Sequence, residues 1–306
     1  MDVGGTTVAA GLVAADGRVL EHHQAPTHAR GPGTVLDTIV ELLERLADAA
    51  RAGGVTVVGI GLGVPGIVDA ERGLVGGDVH YAPELAGTPL GERLRGRLGV
   101  PVFVDNDVNA LALAEWRWGA GRGAASLVLL ALGTGVGGGI ILDGRLHRGW
   151  AGFGGELGHV PIDFDGPPCI CGGRGCLKTY ASGTDIAQRA TVRLGRPVGA
   201  AEVFRLAAGG DPSAGAIVDE VCGALGAGLA IIVNGLNPQR VLLAGSVAKS
   251  LRPLEARVRA ALARYAFAEA IRSTHLEILS LDKDATVRGG AALVHYETQR
   301  RRTTTP

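Results

Sequence analysis

The sequence predicts an α/β protein built from two related halves. Apolar, β-branched runs alternate with amphipathic helical segments along the 306 residues. A similar series of elements starts near residue 1 and again near residue 126, and a glycine-rich turn follows the opening strand of each series. Because a domain usually holds about 100–200 residues, this length allows two domains with separate cores.

In the first half, Asp16-Gly17 is a dipeptide typical of a hairpin turn. The helix that follows has its apolar residues at helical spacing, and Gly53-Gly54 ends it. The predicted elements are strands at 8–13 and 18–21, a helix at 34–50, strands at 55–63 and 100–105, and a helix at 108–118.

The second half repeats the strand and hairpin pattern, with Asp143-Gly144 as its turn. Residues 148–183 are rich in glycine and proline and are predicted to be mostly irregular. The predicted elements are strands at 126–131 and 137–142, a helix at 214–236, a strand at 240–244, a helix at 251–268, a strand at 276–281, a helix at 286–298 and a frayed tail at 300–306.

We therefore expect two domains. Residues 1–110, joined by the C-terminal helix at about 287–306, form a small N-terminal α/β domain. Residues 111–286 form a larger α/β domain that carries a cysteine-rich loop.

Charge and hydropathy exclude several classes of protein. Thirty basic residues balance thirty acidic ones, so nothing indicates a partner such as nucleic acid or an anionic membrane. The N-terminal residues lack the pattern of a signal peptide, and the most apolar run, 224–233, is interrupted by Gly226 and Gly228. We expect a cytoplasmic protein whose partner is a small molecule or another copy of the chain.

Three glycine-containing turns are candidates for binding a nucleotide. Adjacent glycines after a strand let backbone N–H groups approach phosphates, and threonine hydroxyls add donors. Neither of the first two turns matches the P-loop pattern, and each could instead be only a tight hairpin. The third follows a β run and could accommodate an adenine ring. The candidate nucleotide-binding residues are Asp2, Gly4, Gly5, Thr6, Thr7, Gly133, Thr134, Gly135 and Gly245.

The segment Val104-Asp105-Asn106-Asp107 follows a buried-looking strand and opens a helix. Asp107 could take a proton from a substrate hydroxyl, and the Asn106 amide could hold neighbouring hydroxyls. Aspartate is also a favoured helix cap, so the alternative is that Asp105 or Asp107 only caps the helix.

A cluster of cysteines predicts a metal site. Cys169, Cys171 and Cys176 lie within eight residues and follow His159, which gives the Cys₃His donor set of tetrahedral structural zinc. A redox-active cysteine pair is the alternative. Cys222 lies alone on an apolar helix and is expected to be a buried small side chain.

These motifs together resemble the ROK sugar kinases, which share the two-domain actin/hexokinase-like ATPase fold with a cleft between the domains. The resemblance covers essentially the whole chain. It rests on DVGGT at 2–6, GVPGIVD at 63–69, VDNDVNA at 104–110, LGTGVGGG at 132–139, GELGH at 155–159 and CICGGRGC at 169–176.

The resemblance implies transfer of the γ-phosphate of ATP, with Mg²⁺, to the primary hydroxyl of a hexose or a close relative. Asp107 matches the family's general base. The residues implied in substrate binding are Gly66, Asn106, Asp107, Glu156, His159 and Lys178. His159 would also bind the zinc that orders the sugar-binding loop, and a homodimer or homotetramer is expected.

Lys178 departs from the family pattern, in which a glutamate at this position binds the hydroxyls at the anomeric end of the sugar. An ammonium donates hydrogen bonds and cannot accept them. A C7-cyclitol (valiolone-type) 7-kinase or a kinase of modified sugars is therefore an alternative to a glucokinase. Lys178 could also point away from the substrate. Thr7 replaces the family's usual lysine, which is a smaller change.

Two further functions come from other classes. Some members of the family are sugar-responsive repressors with a helix-turn-helix ahead of this fold, for which the sequence before Asp2 leaves no room. A non-catalytic sugar-binding regulator is the other alternative, favoured by Lys178 and opposed by the retained Asp107.

Overall fold

The computed structural model describes residues 1–77, 79, 82–282 and 284–304. The chain forms two compact units. Unit 1 contains Met1–Gly123, Leu146–Gly154 and the residues from Asp282 onward, and unit 2 contains Ala124–Arg145 and Gly155–Leu281.

Unit 1 is a mixed sheet with helices. Its elements up to the first change of unit are β1 (Asp2–Val3), β2 (Thr7–Val13), β3 (Val19–Pro26), α1 (Val35–Ala52), β4 (Ile60–Val64), β5 (Val68–Asp69), β6 (Leu74–Val75), α2 (Leu90–Leu98), β7 (Val102–Asn106) and α3 (Asp107–Trp118). The strands of the main sheet lie in the order β3-β2-β1-β4-β7, antiparallel within the opening hairpin and parallel from β1 through β4 to β7.

Unit 2 has a second sheet. Its elements are β8 (Leu127–Leu132), β9 (Val136–Leu142), β10 (Arg145–Leu146, of which Leu146 already belongs to unit 1), α4 (Leu177–Ala181), α5 (Gly183–Leu194), α6 (Ala200–Ala208), α7 (Pro212–Leu236), β11 (Arg240–Ala244), α8 (Ser246–Leu251), α9 (Glu255–Leu262), α10 (Ala268–Ser273) and β12 (His275–Ile278). The strands of this sheet lie in the order β10-β9-β8-β11-β12. The chain then returns to unit 1 as α11 (Ala285–Thr304).

The two sheets share one topology. In each, the first strand pairs antiparallel with the hairpin strand that follows it and parallel with a later strand. The predicted pair of related α/β halves is confirmed by this shared strand order.

The unit boundary differs from the one at residue 110 that the sequence suggested. Helix α3 lies wholly in unit 1, where it packs along α11. The segment Leu146–Gly154 also belongs to unit 1, although the residues on both sides of it belong to unit 2.

Helix α7 is the central helix of unit 2. Its length and composition would suffice for a membrane span, but 67% of its most apolar window is buried inside the protein. Gly226 and Gly228 interrupt the apolar run in the sequence, and in the structure both are positions of close packing. A Cβ on Gly226 would lie 2.5 Å from the Ala261 Cβ, and one on Gly228 would lie 2.7 Å from the Leu177 side chain. We therefore assign α7 as a core helix.

Three local predictions were wrong in extent. The strand predicted at 55–63 begins only at Ile60, because Val55 and Val58 are exposed and gain nothing from a sheet. The helix predicted at 251–268 is broken into short pieces around Pro253. Residues 300–304 of the predicted frayed tail are the last part of α11, where Arg300 pairs with Glu297 of the preceding turn, and residues 305 and 306 lie outside the described residues.

Candidate active site

The turn between β1 and β2 is the first predicted phosphate loop, and it lies in unit 1. The Gly4 N–H donates to the Thr7 carbonyl over 2.9 Å, and a Cβ on Gly4 would lie 2.9 Å from the same oxygen. The Thr27 hydroxyl fixes the turn from outside by donating to the Gly4 carbonyl at 2.7 Å. Thr6 and Thr7 are exposed. Packing therefore explains Gly4, while the hydroxyls beyond it face solvent.

Asp2 opens this loop at the start of β1. Burial raises the pKa of its carboxyl, and a hydrogen bond with the Thr286 side chain acts in the opposite direction. A partly buried carboxylate beside a phosphate loop would gain from a cation.

The turn between β8 and β9, in unit 2, is the second predicted phosphate loop. The Gly133 N–H donates to the Gly135 carbonyl over 3.0 Å. No protein atom lies within 4 Å of a Cβ placed on either glycine. Packing within the protein therefore does not require glycine here, whereas close approach of a ligand to the backbone would.

Gly245 behaves differently from the glycines of the second loop. It has a φ of +101°, and a Cβ on it would lie 2.5 Å from the Leu132 carbonyl. Backbone conformation and the contact between β8 and the start of α8 thus account for this glycine without a ligand.

The predicted acid segment lies at the junction of β7 and α3 in unit 1. Asn106 caps α3, because its Oδ1 accepts from the Val108 N–H at 2.9 Å and the Asn109 N–H at 3.2 Å. Its Nδ2 donates to the Gly66 carbonyl at 3.2 Å. The helix cap is therefore Asn106, and neither Asp105 nor Asp107 has that role.

Asp107 is the first residue of α3, and its Oδ1 accepts from the Val108 N–H at 2.9 Å. The position at the helix N-terminus favours a negative charge. Asp105 is buried and serves another purpose. It accepts from the Asn106 N–H at 2.7 Å and from the Asn109 side chain at 3.0 Å.

Arg148 is a site residue that sequence reasoning missed. Its guanidinium lies 2.6 Å from the Asp105 carboxylate and 2.7 Å from that of Glu297, and both acids are almost fully buried. Burial acts to lower the pKa of Arg148, but the two carboxylates outweigh burial and raise it. No local pattern marks this triad, because its members come from β7, an irregular segment and α11.

The predicted metal site is assembled within unit 2. His159 Nδ1 and Cys169 Sγ are 3.4 Å apart, Cys171 Sγ and Cys176 Sγ are 3.7 Å apart, and all ligand atoms lie within 4.8 Å of one another. A tetrahedral zinc with Zn–S bonds of about 2.3 Å requires sulfur atoms about 3.8 Å apart and sulfur–nitrogen separations of about 3.5 Å. The donor set and its spacing fit zinc.

The backbone of this loop explains how such closely spaced thiols converge. Gly172 and Gly175 have positive φ values of 88° and 61°, and a Cβ on Gly175 would collide with the Asp163 carbonyl. The cysteines are free thiols. Burial and the neighbouring thiols raise the pKa of Cys176 to about 12, so a cation would be needed to hold this side chain as a thiolate.

Glu156 and His159 lie together at the start of the metal loop, on a short 3₁₀ turn. The Glu156 carboxylate is 3.9 Å from His159 Nε2, the nitrogen that does not face Cys169. Burial raises the pKa of Glu156, and His159 opposes that shift. The two side chains are partly exposed and can therefore reach a ligand.

Lys178 is on α4, two residues after Cys176. Its Nζ donates to Asp185 Oδ2 at 2.8 Å, and both side chains are largely buried. Asp185 is a second residue that sequence reasoning missed, because Asp185 itself lies outside any motif.

The matching sheets define a two-domain α/β protein of the actin-like ATPase class. The model of the ROK family matches residues 1–297. The chain belongs to the ROK family. A glucokinase from Halalkalibacterium halodurans is 34% identical, with 97% of this chain and 94% of the glucokinase covered.

Solved structures of two enzymes share the fold. A ROK hexokinase from Thermus thermophilus has a TM-score of 0.83 and 36% identity, with 98% of each chain covered. A ROK family glucokinase from Streptomyces griseus, in complex with glucose and AMPPNP, has a TM-score of 0.77 and 30% identity, with 97% of this chain and 98% of the other covered. The predicted actin/hexokinase-like ATPase fold is confirmed.

A regulator shares the fold as well. A ROK family transcriptional regulator, a homologue of the E. coli MLC protein, has a TM-score of 0.84 and 30% identity, with 96% of this chain and 76% of the regulator covered. The fold alone therefore does not separate catalysis from regulation, and the side chains of the site must do so.

Proposed function

We propose that this protein is an ATP-dependent kinase that phosphorylates the primary hydroxyl of a hexose or hexose-like substrate. The observation that carries the proposal is Asp107 at the first position of α3, with Asn106 as the cap. Asn106 already caps the helix, so Asp107 is not needed as the cap and its carboxylate can act on a substrate. The similarity to a ROK hexokinase and to glucokinases supports the same activity.

Asp107 is the general base in this proposal. Its carboxylate accepts the proton of the substrate hydroxyl as that oxygen attacks the γ-phosphorus of ATP, and the bond from that phosphorus to the bridging oxygen breaks to release ADP. The other site residues of unit 1 position the base and the acceptor. Asn106 fixes the first turn of α3 and, through its Nδ2, the backbone at Gly66.

The glycine turn of each unit supplies candidate groups for nucleotide binding. The backbone N–H groups of Thr134 and Gly135 bind phosphate oxygens, because Gly133 and Gly135 leave the backbone open to a ligand. Gly5 and the hydroxyls of Thr6 and Thr7 contribute further donors, while Gly4 shapes the turn through its own hydrogen bond to Thr7. Gly245 would lie beside the adenine. Mg²⁺, when bound, would offset the negative charge of the phosphates. Asp2 is the candidate carboxylate for holding this cation.

The metal loop holds the sugar end. Glu156 accepts hydrogen bonds from sugar hydroxyls, and His159 Nε2 is free for the substrate because Nδ1 faces the cysteines. Zinc held by His159, Cys169, Cys171 and Cys176 is structural, since four protein ligands leave no open position. Zinc thereby orders the loop that carries Glu156.

Lys178 bears on which substrate is used. Its ammonium is paired with Asp185, and the carboxylate that the family pattern places at this position is absent. A substrate that donates fewer hydrogen bonds at this end is favoured, which keeps a C7-cyclitol or a modified sugar as the alternative to glucose. Action in the cytoplasm and assembly into a homodimer or homotetramer are also part of the proposal.

The test is ADP release with a panel of glucose, aminosugars, other hexoses and C7-cyclitols. We expect turnover with at least one member, and ³¹P NMR of the product should place the phosphate on the primary hydroxyl. Binding of sugar and nucleotide without turnover on any member would instead support the regulator class represented by the ROK transcriptional regulator.

A further inference from the structure

The Lys178–Asp185 ion pair is held in a defined geometry in unit 2. The two side chains are only 16% and 19% exposed. The Ser182 hydroxyl also bonds the Asp185 carboxylate, and Ser182 Oγ accepts from the Asp185 N–H at 3.0 Å. Asp185 is thus fixed by its own helix cap on one side and by Lys178 on the other.

The N-terminus of α5, where Asp185 lies, contacts the second phosphate loop. The Gly183 N–H donates to the Gly133 carbonyl at 2.7 Å, and the Thr184 N–H makes a longer bond of 3.4 Å to the Thr134 carbonyl. A Cβ on Gly183 would lie 3.0 Å from the Gly133 carbonyl, so the two backbones are in close contact. The first N–H groups of a helix need partners outside it, and here the loop supplies them.

The backbone at Lys178 is held in place by contacts within the protein. This residue lies on α4 next to Leu177, which is fully buried, and the Ser182 N–H donates to the Lys178 carbonyl at 3.0 Å. The ion pair therefore joins a fixed helix, α4, to the first turn of α5, and that turn holds the loop.

We propose that Lys178 is a positioning residue for the loop Gly133–Gly135, acting through Asp185 and the N-terminus of α5. This inference rests on the proposed role of that loop in holding the phosphates of ATP. It assigns Lys178 to the nucleotide side of the reaction, although its place in the sequence suggested a contact with the sugar. Without the ammonium, the largely buried Asp185 carboxylate loses the positive charge that offsets its own charge. The first turn of α5 therefore shifts, and the loop loses its fixed geometry.

The experiment compares Lys178→Met, Asp185→Asn and the exchanged pair Lys178→Asp with Asp185→Lys. KM for ATP and for the sugar, kcat, and affinity for ADP by calorimetry are measured for each. We expect either single variant to raise KM for ATP and Kd for ADP about three- to tenfold, the effect of one hydrogen bond, with KM for the sugar within about twofold. The exchanged pair should recover part of the nucleotide affinity.

Arg193→Met is the matched control, because Arg193 lies at the other end of α5 and forms a more exposed ion pair with Glu220 of α7. It should leave both KM values unchanged. A Lys178→Met variant that raises KM for the sugar and leaves nucleotide affinity unchanged would overturn the inference, as would nucleotide affinities unchanged in both single variants. If the wild-type chain turns over no sugar, the proposed function fails, while ADP calorimetry still tests the inference.

Discussion

Arg148 and Asp105 form an ion pair with a separation of 2.6 Å inside unit 1. Asp105 also accepts hydrogen bonds from Asn106 and Asn109 at the start of α3. The pair therefore ties the segment Leu146–Gly154 to the helix that begins with Asp107. Glu297 completes the network from α11.

Removing Arg148 should destabilise the protein strongly. In Arg148→Met, Asp105 and Glu297 would both stay buried without their cation, and breaking a buried ion pair costs about 3–5 kcal/mol. Urea unfolding measures this loss. The control is Arg30→Met, whose exposed pair with Glu41 should change stability by about 0.5 kcal/mol or less. Equal effects of the two substitutions would show that the buried network contributes no more stability than an exposed ion pair.

The cap of α3 gives a second prediction. Asn106→Ala removes the acceptor of the Val108 and Asn109 N–H groups and should cost about 1 kcal/mol of stability. Asn106→Asp keeps a capping oxygen and should retain most of that stability, yet it loses the Nδ2 donor to Gly66. Thermal unfolding of both variants tests whether Asn106 is the cap of α3. An Asn106→Ala variant as stable as wild type would contradict this role.

Zinc removal should act mainly on sugar binding. The metal loop carries Glu156 and His159, whereas the loop at Gly133–Gly135 is held by α5. After chelation, or in Cys171→Ser, we expect Kd for the sugar to rise more than Kd for ADP, both by calorimetry. Elemental analysis should find about one zinc per chain in wild type. Cys222→Ala is the control and should retain the metal, because Cys222 is buried on α7 away from the cluster. Equal loss of both affinities would contradict the role given to His159.

His295 predicts a pH dependence of stability. Its ring packs edge-on against Trp118 with centroids 5.7 Å apart. Burial is the larger cause of a lowered pKa for His295, and the charge of Arg117 is the second cause. The unfolded chain, with a histidine pKa of about 6.5, therefore binds the proton first as the pH falls. His295 therefore contributes stability at pH values above about 6.5, and this stability is lost as the pH drops toward the lower pKa of the folded state.

Urea unfolding of wild type and His295→Gln at several pH values tests this sign. Wild type should lose more stability than the variant between about pH 7 and pH 5. Parallel pH profiles would show that His295 does not contribute.

Local patterns predicted much of the fold and part of the site. Dipeptides such as Asp16-Gly17 and the spacing of the cysteines act over a few residues, so the hairpin and the metal cluster could be read from the sequence. The junction of β7 and α3 was also predicted, but not that Asn106 is the cap. The choice among neighbouring Asp and Asn residues depends on backbone geometry that a sequence does not specify.

Long-range pairs could not be predicted in this way. Arg148 meets Glu297 across 149 residues, and nothing near either residue marks the other. Lys178 stood out as an unusual residue, but its partner Asp185 became visible only once α4 and α5 were folded. Burial of charge is decided by tertiary packing, which is why both pairs emerge from the structure alone.

Transfer of ³²P from [γ-³²P]ATP to a sugar, compared between wild type and Asp107→Asn, tests the central claim most directly. Because Asn106 holds the cap, the variant should fold normally and bind sugar and ADP as wild type does. We predict labelled sugar phosphate from wild type and a kcat reduced about 10²- to 10⁴-fold in Asp107→Asn. A variant with near wild-type turnover would contradict the account.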